Sequence, residues 1–156
     1  MTKKASNLEN IKKLRDETGA GVLEIKKALE DTKGNYVKAK DILVKKGMAR
    51  AAKKSAERTA SDGLVYAYIH NTGKVGSMVA VACETDFVAK TDQFSELCKD
   101  LAMQVCTGDY SNVEELLADE FIKDPKKKIS DLVTEAIAKT GEKIEIKKFV
   151  KYSIND

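Results

Sequence analysis

Val81-Ala82-Cys83-Glu84-Thr85-Asp86-Phe87-Val88-Ala89-Lys90 is the stretch on which the fold turns. Ahead of it, from Leu64, aromatic and β-branched residues cluster as in strands. Beyond it, from Asp92, apolar residues recur at helical spacing. Asp86 and Phe87 therefore fall on a connection between two element types, where a scaffold usually presents its working residues. Two readings are open. Phe87 folds back into the core while Asp86 caps the next helix, or both face outward as a contact.

Working back toward the N-terminus, Leu64–Asn71 and Ser77–Cys83 flank the turn Thr72-Gly73-Lys74-Val75-Gly76, which predicts a β-hairpin. The second strand is apolar on both faces, so both faces are expected to be covered. Residues 48–61 are alanine-rich and basic and predict a connector helix. Ahead of them lie three short amphipathic helices. The first has a capping-box pattern at Ser6 and Glu9 with Leu8, Ile11 and Leu14 in phase, and stops at Thr18-Gly19-Ala20-Gly21. The second carries Val22, Leu23, Ile25, Ala28 and Leu29, and the third runs from Tyr36 to a glycine C-cap at Gly47.

Working forward, Asp92 is the expected N-cap of a helix reaching Cys106, with Phe94, Leu97, Cys98, Leu101, Ala102 and Val105 on one side. Asn112 and Glu115 open a short helix, and after Asp124-Pro125 a further helix with Ile129, Leu132, Val133, Ala136 and Ile137 ends at Thr140-Gly141. Glu142–Tyr152 alternates and predicts a third, half-exposed strand pairing with the hairpin. The expected class is α+β. Residues 1–47 form a three-helix domain, 48–61 the connector, and 62–156 a three-stranded antiparallel sheet covered by helices.

Composition bounds the chemistry. The 156 residues include 28 Lys and Arg against 25 Asp and Glu, a net charge of +3 that implies no nucleic-acid or membrane partner by itself. Arg, the preferred residue for bidentate phosphate and base contacts, occurs only at positions 15, 50 and 58. Cys83, Cys98 and Cys106 lack C-x-x-C spacing and fit a reducing compartment. No signal peptide or transmembrane run is evident, so a cytoplasmic location is expected. His70 is the one histidine, so neither a zinc site nor a Cys-His nucleophile is expected, and no cofactor fingerprint is present. A binding protein is expected rather than an enzyme, with no catalytic residues, metal or cofactor of its own.

The turn at Thr18–Val22 lacks the Gly-Lys-Ser/Thr of a phosphate loop. It reads either as a helix-to-helix reversal or as a docking surface with Val22 and Leu23 partly exposed. The helix from Lys45 to Arg58 carries Lys45, Lys46, Arg50, Lys53, Lys54 and Arg58 as a positive face, without aromatic residues to stack bases. It supports an alternative function as an RNA- or ribosome-associated adaptor, with salt-sensitive binding. A third reading is a generic helical peptide-binding adaptor.

The blocks also carry a resemblance. Leu14-Arg15-Asp16-Glu17-Thr18-Gly19-Ala20-Gly21 with Lys26-Lys27-Ala28-Leu29 resembles the N-terminal signature of the translation elongation factor Ts family. Tyr68-Ile69-His70 with Gly73-Lys74-Val75-Gly76 resembles that family's hairpin, Cys83 to Ala89 its most diagnostic segment, and Gly141-Glu142-Lys143-Ile144 through Phe149 its closing strand. They occur in the family's order across nearly the whole chain.

The resemblance implies a guanine nucleotide exchange factor for elongation factor Tu, in its GDP-bound and nucleotide-free states. It implies a helical module similar to a ubiquitin-associated domain that docks on the GTPase through Leu14, Arg15, Thr18, Gly19, Ala20, Gly21 and Val22, with His70 as a further contact. Thr85, Asp86, Phe87 and Val88 would form the segment that dislocates the partner's magnesium, with Phe87 wedged between GTPase elements and therefore exposed. Ala82 stands where the family commonly has asparagine. The chain has one copy of a core subdomain that longer members duplicate, which implies a homodimer.

Overall fold

The computed structural model describes the backbone of residues 2–55 and 58–155, and the side chains of residues 8–47, 49 and 58–155. Within them are seven helices, a three-stranded antiparallel sheet and a two-stranded one, an α+β architecture.

The helical part begins with α1 (Thr2–Thr18), α2 (Val22–Asp31) and α3 (Tyr36–Ser55). Leu14, Ile25, Ala28, Leu29, Ala39 and Leu43 form its buried core, which gathers the apolar stripe of each helix as the spacing predicts. Two boundaries differ. Ser6 lies inside α1 and does not open it, and its side chain is outside the described residues. Gly47 does not end α3, which continues to Ser55 and absorbs the first part of the expected connector. A Cβ at Gly47 would stand 3.0 Å from the Cβ of Ala138. The glycine is a notch where two helices touch, and a helical φ leaves it no reason to act as a stop.

The sheet has the order β1-β2-β5, with β1 Asp62–Ile69, β2 Val75–Cys83 and β5 Glu145–Ser153. The predicted hairpin pairs Asp62 with Cys83 and Ile69 with Gly76, and the predicted third strand pairs along β2 with an irregularity at Ala80/Val81. Period-two alternation sends Val79, Val81 and Cys83 to the inner face, where they pack with Phe94, Leu97, Cys98, Leu101 and Val105. Those residues belong to α5 (Asp92–Thr107), whose N-cap is Thr91 and not Asp92: Thr91 Oγ1 accepts from the Phe94 amide at 3.2 Å. A threonine in extended geometry does this one residue earlier than the sequence suggests.

The opposite face of the sheet departs from expectation. Val65 (67% exposed), Met78 (45%) and Tyr152 (73%) lie on it uncovered, so among the described residues helices shield one side only.

After α5, α6 (Val113–Ala118) opens as predicted, with Asn112 Oδ1 accepting from the Glu115 amide at 2.8 Å. A short hairpin, β3 (Glu120–Phe121) with β4 (Asp124–Lys128), then precedes α7 (Ile129–Thr140). Its two strands are too short and too charged to signal themselves. Buried Gln104 holds it: Oε1 accepts from the Ile122 amide at 3.0 Å, and Nε2 donates to the Glu120 carbonyl at 3.1 Å. Gly141 closes α7 in the left-handed region at φ 73°, as the sequence implies.

Candidate functional site

A four-residue helix, α4 (Asp86–Ala89), occupies the strand-to-helix corner. Thr85 has extended backbone and caps it, its hydroxyl accepting from the Val88 amide at 3.4 Å. Thr91 closes the turn from the other end, its Oγ1 donating to the Val88 carbonyl at 2.8 Å. Successive helical residues are about 100° apart, so one turn cannot bury all of them. Ala89 is buried and Val88 packs partly against the core, which sends Asp86 and Phe87 to solvent. Phe87 is 83% exposed; Phe94, seven residues on, is 1% exposed.

Asp86 Oδ2 accepts from Lys90 Nζ at 2.6 Å, an exposed i,i+4 pair. That hydrogen bond holds the Asp86 carboxyl below its ordinary range and lifts the Lys90 ammonium above its own. Asp86 is thus an ionised surface acid one residue from an exposed ring.

Two carboxylates tie the corner down, Glu142 from the end of α7 and Glu84 from the corner itself. Glu142 Oε2 accepts from the Glu84 and Thr85 amides, each at 3.1 Å, and its Oε1 accepts from the Thr85 hydroxyl at 2.6 Å. Glu84 returns the contact, its Oε1 accepting from the Lys143 amide at 2.6 Å. Arg58 donates to Glu84 Oε2 at 3.0 Å and to the Gly141 carbonyl at 3.4 Å. Beneath the corner, Cys83 Sγ donates to the Thr85 carbonyl at 3.2 Å. Burial raises the Cys83 thiol and pushes Cys98 up to about 12. Cys106 is also buried, and the three free thiols pack as small apolar residues.

The second predicted contact is differently built. Leu14 and Thr18 are 0% and 5% exposed, so neither offers a side chain to a partner. Leu14 is core, and Thr18 Oγ1 donates to the Leu14 carbonyl at 2.5 Å. Gly19, at φ +64°, faces α7: a Cβ there would stand 2.8 Å from the Lys139 carbonyl oxygen. Its close approach is to its own chain. Arg15, Gly21 and Val22 are exposed, Ala20 is half-buried, and Leu23, expected to be partly exposed beside Val22, is 82% exposed.

The end of α7 joins the two segments. Lys139 receives the Gly19 turn, and three residues later Glu142 receives the corner. His70 is apart from both. It is exposed in the β1–β2 turn, with Nδ1 3.4 Å from the Tyr68 hydroxyl. The corner follows the other end of β2, a strand about 26 Å long from its residue count and rise. In the basic face, Lys45 and Lys46 are exposed, whereas Arg58 is turned onto Glu84; the side chains of Arg50, Lys53 and Lys54 lie outside the described residues. Among the described residues no cluster of three or more His, Cys, Asp or Glu could hold a metal, and no helix is long and apolar enough to cross a membrane.

The fold and this corner define an α+β protein that presents an aromatic ring and an ionised acid on a clamped helical turn. Residues 84–156 match the family model described as elongation factor TS. The chain is 44% identical to elongation factor Ts of Nostoc sp. over 94% of its own length, covering 46% of that protein. It is 39% identical to that of Coprothermobacter proteolyticus and 40% identical to that of Herpetosiphon aurantiacus, covering 96% and 97% of those proteins. It belongs to the elongation factor Ts family, a family of translation elongation factors.

Proposed function

We propose that this chain is a guanine nucleotide exchange factor for elongation factor Tu that acts in the cytoplasm by binding alone. The observation that carries the reading is Phe87, 83% exposed on a rigidly held corner of a family member. Burial of an aromatic is among the larger favourable terms at an interface, so a ring kept in water invites a partner. Thr85, Asp86, Phe87 and Val88 form the exchange segment. Phe87 enters between elements of the GTPase beside the magnesium and phosphates, and Asp86 reorganises the same surface. Magnesium and phosphate-loop contacts hold much of the diphosphate, so displacing them weakens GDP binding. By linkage, GDP weakens the factor's binding by the same ratio. No proton transfer or covalent step is needed.

The bundle of residues 1–47, similar to a ubiquitin-associated domain, docks on the GTPase through Arg15, Ala20, Gly21 and Val22, while 62–156 carries the exchange segment and 48–61 joins the two. His70, on the far end of the sheet, makes a separate contact. The uncovered sheet face with Val65, Met78 and Tyr152 is the surface through which two chains pair, since solvent-facing apolar patches of this kind mark association sites.

Release of fluorescent GDP from elongation factor Tu tests the reading. Added chain should accelerate release in proportion to its concentration until saturation; release at the spontaneous rate rules out exchange. Sedimentation at micromolar concentration should give a dimer, and a monomer there refutes pairing.

A further inference from the structure

Four residues do not make a stable helix in water, because the nucleation cost exceeds what one turn returns. The direction in which Phe87 points is therefore set from outside α4. Cys83 contributes one weak sulfur donor from below. The strong contribution is Glu142, whose carboxylate collects three donors from Glu84 and Thr85. Bonds to an ionised acceptor are roughly twice as strong as neutral ones. The Thr85 hydroxyl spends its proton on Glu142 at 2.6 Å, which turns a lone pair toward the Val88 amide that opens α4. A relay thus runs from Glu142 through Thr85 to Val88, the residue next to Phe87.

We infer that Glu142 is a positioning residue for exchange, fixing the cap of α4 so that Phe87 is presented in the orientation the partner meets. This rests on the exchange reading above. Glu142 touches neither nucleotide nor partner in this role, and acts only through the corner. Glu84 is the reciprocal half, holding the Lys143 amide while Glu142 holds its own.

The test is GDP release at saturating concentrations of wild type, Glu142→Ala, Glu142→Gln, Phe87→Ala and the Glu142→Ala/Phe87→Ala double variant. Alanine at 142 should slow stimulated release on the order of tenfold, the loss expected for charge-assisted bonds. Glutamine can accept from both amides and donate to the Thr85 oxygen, so it should hold the rate within about threefold of wild type. The double variant should be no slower than Phe87→Ala alone, because residues acting through one group are not additive. Amide exchange at Val88 should quicken in Glu142→Ala, with the α5 amides unchanged. Full activity of Glu142→Ala, or losses that multiply in the double variant, overturns the inference. If the alanine variant does not fold, Glu142→Asp, whose carboxylate is one bond too short, takes its place with the same expected loss. A wild type that accelerates no release refutes the exchange reading instead, and the Val88 amide still reports whether Glu142 holds the corner.

Discussion

Two segments of this chain resemble partner-binding surfaces in sequence, and their structures separate them. The corner at Thr85–Val88 sends its largest apolar group into solvent and is braced from behind by Glu142. The turn at Thr18–Val22 buries Leu14 and Thr18 and sets Gly19 against its own α7. The first has its singular residue outside the fold; the second is divided, with Leu14 and Thr18 inside it and Arg15, Gly21 and Val22 outside. A motif can therefore be distinctive because a partner needs it or because the chain's own packing does. Only the direction of each side chain tells which.

The sharpest contrast lies between Phe87 on the corner and Phe94 in α5. Phe94→Ala should lose about 3–5 kcal/mol by emptying the centre of the core. Phe87→Ala should stay within about 0.5 kcal/mol of wild type, as a substitution on an open surface does. Urea denaturation of both compares them directly, and similar losses would mean that Phe87 also holds the fold together.

Gly19→Ala comes next. Its left-handed backbone and the overlap with the Lys139 carbonyl together should cost about 2–4 kcal/mol. Gly21→Ala, with φ −67° and nothing within 4 Å of a Cβ, should leave stability nearly unchanged. Thermal melts of the two variants check whether the turn serves the fold at one glycine and remains free at the other.

The smallest effect belongs to Asp86 and Lys90. Asp86 titrates low in the folded protein, so the pair's contribution is present above the unfolded carboxylate pKa and lost as pH falls through the folded one. Lys90 titrates high, so on the alkaline side the contribution is lost as pH rises through its folded value. Neutral pH lies between. Lys90→Ala should move the Asp86 carboxyl back up in an NMR titration, and added salt should do part of the same.

Much of this was legible beforehand because it depends on local chemistry. The hairpin, the third strand, the Asn112 cap and the Gly141 stop follow from periodicity and backbone preference over a few residues. The misread features depend on distant ones. Gly47 looks like a helix end until Ala138 is placed beside it. The β3–β4 hairpin is held by Gln104, which lies 16 residues from Glu120. The corner was visible as a change of period, and its family resemblance pointed to exposure, but its brace was not. Glu142 lies 58 residues from Glu84 and looks, in sequence, like one more surface acid among lysines.

Stimulated release of fluorescent GDP from elongation factor Tu by Phe87→Ala, measured at saturating concentration beside wild type, bears most directly on the ring's part in exchange. Release should slow on the order of tenfold or more, as for a central aromatic contact, while the melting curve stays that of wild type. Stimulation equal to wild type from a folded Phe87→Ala would contradict it.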